Sequence, residues 1–128
     1  MRVLIIDDDE IVRELLSSTL KLGGHEVFEL SNAIGATRVI FGHHIDAVVV
    51  DVDLPDISGD KLARVLRNNS RGHNLGIVLV SSLPLEELTR LALEVRADGV
   101  LSKSNIRAGL EPAIMRACQL RIRVAKSG

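Results

Sequence analysis

Short apolar runs alternate with helically spaced apolar positions along this chain, and the alternation occurs five times. Val3-Leu4-Ile5-Ile6 is a continuous apolar run, which predicts a strand buried on both faces. Ile11, Val12, Leu15, Leu16, Thr19 and Leu20 follow at helical spacing, and Gly23-Gly24 ends that helix. Glu26 to Leu30 alternates, as a strand nearer the sheet edge does, and Ser31 or Asn32 is placed to cap a second helix reaching about Phe41. Ala47 to Val50 reads as another fully buried strand, and Leu54-Pro55-Asp56 with Gly59 as a loop. Leu62, Val65 and Leu66 mark a third helix, and Ile77 to Val80 a fourth strand. Pro84 suits the first turn of a helix carrying Leu88, Leu91, Ala92 and Val95. Gly99 to Leu101 is a short fifth strand. Leu110, Ile114, Ala117 and Cys118 share one stripe of a last helix. Pro112 has no N–H, so that helix is expected to begin near Ala108 or Gly109, or to kink there.

Alternating strands and helices predict an α/β fold, a doubly wound parallel sheet with helices on both faces. The expected five-strand order is the flavodoxin-like 2-1-3-4-5, with its switch point between strands 1 and 3. Residues 1–122 are expected to form one domain, with 123–128 a C-terminal tail or the start of a linker.

Composition narrows the function classes. The chain has 128 residues, 46 % of them hydrophobic, enough for one core. A net charge of −1, from 16 basic and 17 acidic residues, gives no case for direct nucleic-acid binding or an anionic membrane surface. With only two aromatics, Phe28 and Phe41, base stacking is not expected. The single cysteine, Cys118, excludes an internal disulfide and reads as a core thiol. No signal peptide is visible and no apolar run is long enough to span a bilayer, so the expected location is cytoplasmic.

Chemistry gathers where strands end. Asp7-Asp8-Asp9 follows the first strand, Asp51 the third, Ser81-Ser82 the fourth and Lys103 the fifth. Ligands of parallel α/β sheets bind at the carboxyl ends of strands, so carboxylates, a hydroxyl and an ammonium are expected in one crevice. Crowded carboxylates either rise in pKa or bind a cation, and Mg²⁺ is the hard ion that prefers oxygen. Asp8 and Asp51 are candidate direct ligands, Asp7 holds a bound water, and the backbone carbonyl of Asp53 completes the metal set. Lys103 can pair with Asp51 at rest and with a phosphoryl oxygen later, and Ser81 offers its hydroxyl to the same oxygens. Each feature alone also has a structural reading. Asp7 to Asp9 can cap a helix starting near Glu10, Ser81 or Ser82 can cap the helix after Pro84, and Lys103 can be a solvated surface lysine. His43-His44 reads as a helix-to-strand loop, and the basic last helix (Arg116, Arg121, Arg123, Lys126) as a solvated or partner face.

Four segments in order carry a family resemblance: Val3 to Glu10, Val49 to Gly59, Val80 to Ser82 and Ala97 to Lys103. From residue 2 to about 120 the chain resembles a response-regulator receiver domain (CheY-like) of two-component signalling. The resemblance implies that Asp51 is the phosphoacceptor, that Asp7 and Asp8 are the acidic Mg²⁺ pair, and that Ser81 and Lys103 are the hydroxyl and lysine of the site. It matches Pro55 and Gly59 to the loop after the phosphoacceptor. The implied function is a signalling switch rather than an enzyme with a separate substrate. A sensor histidine kinase or histidine phosphotransfer protein donates the phosphoryl group. The face formed by the fourth helix, fifth strand and fifth helix (Leu85, Leu88, Arg96, Arg107) then passes the signal to an effector protein or a fused output domain, or forms a homodimer. Phosphorylation would add roughly 1.5 to 2 negative charges.

Two positions depart from the family pattern. Val100 stands where an aromatic switch residue is usual, and Ser104 follows the lysine where proline is frequent. Leu83 and Asp53 occupy positions that tune phosphoryl lifetime in the family. Two rival readings accompany the main one. A receiver-like module that is never phosphorylated would account for Val100. A haloacid-dehalogenase-type phosphatase would account for Asp51-Val52-Asp53 after an apolar strand, but that family places its acidic metal pair after the lysine.

Overall fold

The computed structural model describes residues 1–69 and 74–127, with side chains described as far as Arg123. Its elements are β1 (Arg2–Ile6), α1 (Glu10–Leu22), β2 (Glu26–Leu30), α2 (Ala36–Gly42), β3 (Ala47–Asp51), α3 (Gly59–Asn68), β4 (Gly76–Ser81), α4 (Leu85–Val95), β5 (Gly99–Ser102) and α5 (Ile106–Ser127), with a 3₁₀ turn at Lys103–Asn105. All pairings are parallel, and the strand order is β2-β1-β3-β4-β5, as expected.

The continuous apolar runs form the inner strands because both of their faces are covered. Alternation sorts each strand's side chains between two cores. Val3 and Ile5, Ala47 and Val49, and Val78 and Val80 pack with Leu16, Leu20, Leu110 and Ile114 of α1 and α5. Leu4 and Ile6, Val48 and Val50, and Ile77 and Leu79 face α2, α3 and α4. All twelve of these strand side chains are fully buried. Burying each larger aliphatic group contributes about 1.5–3 kcal/mol, so both layers hold the sheet. β2, at the edge, leaves Glu26 and Glu29 exposed.

Two expectations need correction. Neither Ser31 nor Asn32 caps α2. Asn32 instead accepts the Ile34 N–H in a local turn at 2.9 Å, and the helix starts after Gly35, whose φ of 82° suits a residue without a Cβ. Pro112 lies in the second turn of α5, not the first. The 3₁₀ turn after β5 feeds straight into α5, so the helix begins at Ile106. Proline deprives the Ala108 carbonyl of its helical donor, but both residues are exposed and water can serve it. α5 runs on to Ser127, and Gly128 lies outside the described residues. Among the described residues no helix is long and apolar enough to cross a membrane.

Candidate functional site

The chain leaves β1 in two directions, toward β2 on one side and β3 on the other, so the crevice opens where β1 and β3 end. Ile6 pairs with Val50, and the next residue on each strand is an aspartate. Asp7 is fully buried and Asp51 is 1 % exposed. Asp7 is pinned at three of its four polar positions. Its N–H donates to the Leu30 carbonyl at 3.1 Å, its carbonyl accepts from Arg13 Nη1 at 2.8 Å, and its Oδ1 accepts the Asp9 N–H at 2.9 Å. The fourth, Oδ2, is buried with no hydrogen-bond donor.

The three successive aspartates divide their work. Asp9 turns back and caps α1, accepting the N–H groups of Ile11 and Val12 at 2.9 and 3.3 Å. Asp8 is exposed at the mouth of the crevice. The capping reading therefore holds for Asp9 alone.

Beyond β3, Asp51 Oδ1 accepts the Asp53 N–H at 3.2 Å, and the Val52 N–H donates to Val80 at 3.1 Å. The chain then doubles back, and the Gly59 N–H meets the Val52 carbonyl at 2.8 Å. A Cβ at residue 59 would sit 1.9 Å from the Asp51 carbonyl oxygen, so only glycine permits this close return. Asp56 is held away from the metal group: it accepts the Ala33 N–H at 3.1–3.2 Å and ties this loop to the start of α2.

Lys103 reaches in from the far side of the sheet. Its Nζ lies 3.3 Å from Asp51 Oδ1 and 3.8 Å from Asp7 Oδ2. Ser81 pairs in register with Ser102, the residue before Lys103, and is fully buried at the end of β4. Its Oγ accepts the Leu83 N–H at 3.0 Å, which leaves its own O–H as a donor. Neither Ser81 nor Ser82 makes a side-chain cap on α4.

Electrostatics follows from this packing. Burial pushes the Asp7 carboxyl up to about 6, the Asp9 N–H pulls it back, and Asp51 pushes it up again. Burial raises Asp51 as well, opposed by the Asp53 N–H and Lys103. Burial alone would lower Lys103, but the pull of Asp51 and Asp7 outweighs it and the ammonium is raised. One lysine thus faces three carboxylates.

The donor set suits a hard divalent cation. Asp7, Asp8 and Asp51 each offer a carboxylate oxygen, and these oxygens lie within 4.8 Å of one another. The donorless Asp7 Oδ2 is the atom such an ion would satisfy. Mg²⁺ therefore fits the residues present.

The remaining sequence candidates fall elsewhere. His43 ends α2 and tilts against Phe28 with ring centroids 4.8 Å apart, and His44 takes a left-handed φ of 53°. Cys118 is partly buried on the α5 stripe, its Sγ 3.9 Å from the Asp46 carbonyl. Sequence reading missed Arg13, since a single arginine on an amphipathic helix carries no signal that it bonds the main chain of a site residue.

Known proteins share this fold. The family model of the response regulator receiver domain matches residues 3–115. The phosphate regulon transcriptional regulatory protein PhoB of Pseudomonas aeruginosa is 32 % identical over 101 residues, covering 79 % of this chain and 44 % of that protein. The chain thus spans less than half the length of this relative. The BeF3-activated N-terminal receiver domain of Klebsiella pneumoniae RstA superposes with a TM-score of 0.80 at 27 % identity, covering 91 % of this chain and 98 % of that one. TrrA of Thermotoga maritima, a response regulator in complex with Mg²⁺-BeF, gives 0.78 at 27 % identity over 91 % and 97 %. With fold, residue order and family model in agreement, the chain belongs to the response regulator receiver domain family, the phosphorylation-dependent module of two-component signalling.

Proposed function

We propose that Asp51 is the residue that accepts the phosphoryl group, with Asp7, Asp8 and Asp51 and the backbone carbonyl of Asp53 as the Mg²⁺ ligands. One observation carries this reading: three carboxylates at the ends of the adjacent strands β1 and β3 meet the ammonium that follows β5, and a buried carboxylate oxygen is left without a donor. The Mg²⁺-BeF complex of TrrA supports the choice of metal.

An oxygen of the Asp51 carboxylate attacks the phosphorus of a phosphohistidine on a sensor kinase or phosphotransfer protein. The P–O bond forms as the P–N bond breaks, and the released imidazole takes up a proton. Mg²⁺, when bound, neutralises charge on the transferred group. Lys103, already 3.3 Å from Asp51, supplies a point charge to a phosphoryl oxygen, and Ser81 donates its free O–H to another. Both residues lie where β4 and β5 end, so their movement is passed to the loops leading into α4 and α5. The α4–β5–α5 face is the surface we assign to the effector, the fused output domain or a second copy. Val100 on this face is half-buried against the α2–α4 core and lines a groove of about 400 Å³ with Leu85 and Arg116, where a larger side chain would fill space. Switching here then runs through Ser81 and Lys103 rather than an aromatic rotamer. We place the protein's work in the cytoplasm, beside its kinase.

The test is intact mass after incubation with acetyl phosphate, with and without Mg²⁺, on the wild type and Asp51→Ala. A Mg²⁺-dependent phosphoryl adduct that the variant lacks is expected. A wild type that binds Mg²⁺ yet takes no phosphoryl group would leave an unphosphorylated interaction module.

A further inference from the structure

Arg13 holds an unusual position for a helix-surface arginine. Its Nη1 donates to the main-chain carbonyl of Asp7 at 2.8 Å, while its Nε lies 3.5 Å from Glu29 Oε1 on β2. Glu29 is itself held from α1, where the buried Ser17 donates to its Oε2 at 3.3 Å. The residue after Glu29, Leu30, accepts the Asp7 N–H. Both main-chain polar groups of Asp7 therefore run to one brace built from α1 and the end of β2.

Because the Asp7 carbonyl belongs to the peptide unit that joins Asp7 to Asp8, holding that oxygen fixes the plane of the unit. The plane in turn sets the direction in which Asp8 leaves the strand. Asp8 is exposed, so nothing in the core holds its side chain over the crevice. A cation site needs Asp8 within reach of Asp7 and Asp51 before the ion arrives, since ordering it afterwards costs conformational entropy.

We infer that Arg13, locked by Glu29, is a positioning residue for the Mg²⁺ site, acting through the Asp7–Asp8 peptide and touching neither metal nor phosphoryl group. This rests on the proposed assignment of Asp7, Asp8 and Asp51 as ligands. It also makes a statement whose sign is opposite to simple electrostatics. A guanidinium bonded to the main chain of Asp7 repels a cation arriving at that residue, so deleting its charge should tighten Mg²⁺ binding. Deleting a brace should weaken it. Residues that orient metal ligands change affinity by about 10–100-fold when lost.

The experiment is calorimetric titration of Mg²⁺ into the full chain as wild type, Arg13→Met and Arg13→Lys, because a protein without Trp or Tyr has no useful fluorescence signal. We expect Kd to rise about tenfold in Arg13→Met. Arg13→Lys keeps the charge but cannot span both Asp7 and Glu29, and a rise of a few-fold is expected. In acetyl phosphate reactions the Mg²⁺ concentration for half-maximal rate should rise by the same factors, with the rate at saturating Mg²⁺ unchanged. A merely structural arginine would lower the Tm of the metal-free protein and leave Kd of the folded protein where it was. Tighter or unchanged binding in Arg13→Met overturns the inference. If that variant does not fold, Arg13→Lys decides: unchanged Kd overturns, a rise supports. A wild type that binds no Mg²⁺ overturns the metal-site reading and this inference with it, whereas failure in the variants alone leaves that reading standing.

Discussion

Two buried ionic clusters sit at opposite ends of β5, and they are built on opposite plans. At its start, Asp98 is surrounded by donors. Arg67 and Arg121 reach its two oxygens at 2.6 and 2.8 Å, and the Ile77 N–H adds a third bond at 2.8 Å. Arg67 also donates to the carbonyls of Leu75 and Arg96. That cluster ties α3, β4 and α5 together and leaves its carboxylate satisfied. At the far end of β5, one lysine at 3.3 and 3.8 Å serves two buried aspartates, and Asp7 Oδ2 has no donor. Burial of charge is tolerable only where the partners are in place. The first cluster satisfies its carboxylate and is structural. The second lacks positive charge, which the proposed Mg²⁺ would supply.

The largest effect should come from breaking the Asp98 cluster. Asp98→Ala leaves two guanidinium groups without the carboxylate between them and is expected to cost about 3–5 kcal/mol in chemical denaturation. Mg²⁺ binding by the folded fraction should not change, because β5 separates the two clusters by roughly 13 Å at about 3.3 Å per residue.

Breaking the incomplete cluster should act in the other direction. Without Mg²⁺, Asp7 holds its proton to about pH 6 when folded and loses it near 3.8 when unfolded. Between those values the folded state binds more protons, so stability falls as pH rises through that window and stays low above it. At 1.36 kcal/mol per tenfold, this amounts to about 3 kcal/mol at neutral pH. Asp7→Asn keeps an oxygen for the Asp9 N–H and carries no charge. It should be more stable than the wild type at pH 7 in chelator, lose most of that advantage at pH 4, and gain nothing from Mg²⁺. Denaturation curves at both pH values, with and without the metal, measure all three.

Gly59→Ala sharpens the comparison at the site's edge. The new methyl must displace the Asp51 carbonyl that β3 holds in place, which costs about 1–3 kcal/mol by the usual penalty for overpacking. The same shift moves Asp51, so the rate of phosphorylation by acetyl phosphate should fall along with stability.

Much of this contrast was legible before any coordinates. Asp7, Asp8, Asp51, Ser81 and Lys103 each follow an apolar run, and the strand order brings their runs together. The parity of Val3 to Ile6 likewise announced two cores. What stayed hidden depends on partners distant in sequence. Asp98 and Arg67 are 31 residues apart, and nothing in either neighbourhood marks them as a buried pair. Arg13 was invisible because its partner is a main-chain carbonyl. The start of α2 was misjudged because Asn32 spends its side chain on a local turn, and Pro112 because an exposed helix face lets water donate the hydrogen bond that proline cannot.

The smallest effect belongs to a third ion pair, which shows that burial rather than charge separates the first two. Arg2 Nε meets Glu26 Oε2 at 3.0 Å across β1 and β2, a distance only slightly longer than the Asp98 bonds and shorter than either Lys103 contact. Yet its side chains are 46 % and 59 % exposed. Water screens the attraction and solvates either partner left alone, while two long side chains lose freedom in meeting. Glu26→Gln should therefore change stability by no more than about 0.5 kcal/mol, and that difference should shrink in 1 M salt. The Asp98→Ala cost should persist in the same salt, because ions do not reach a carboxylate whose side chain is 2 % exposed. Denaturation of both variants at low and high ionic strength separates the two cases. An equal salt response would mean that the Asp98 cluster is wetter than its packing implies, and that its contrast with the Asp7–Asp51 site is one of degree.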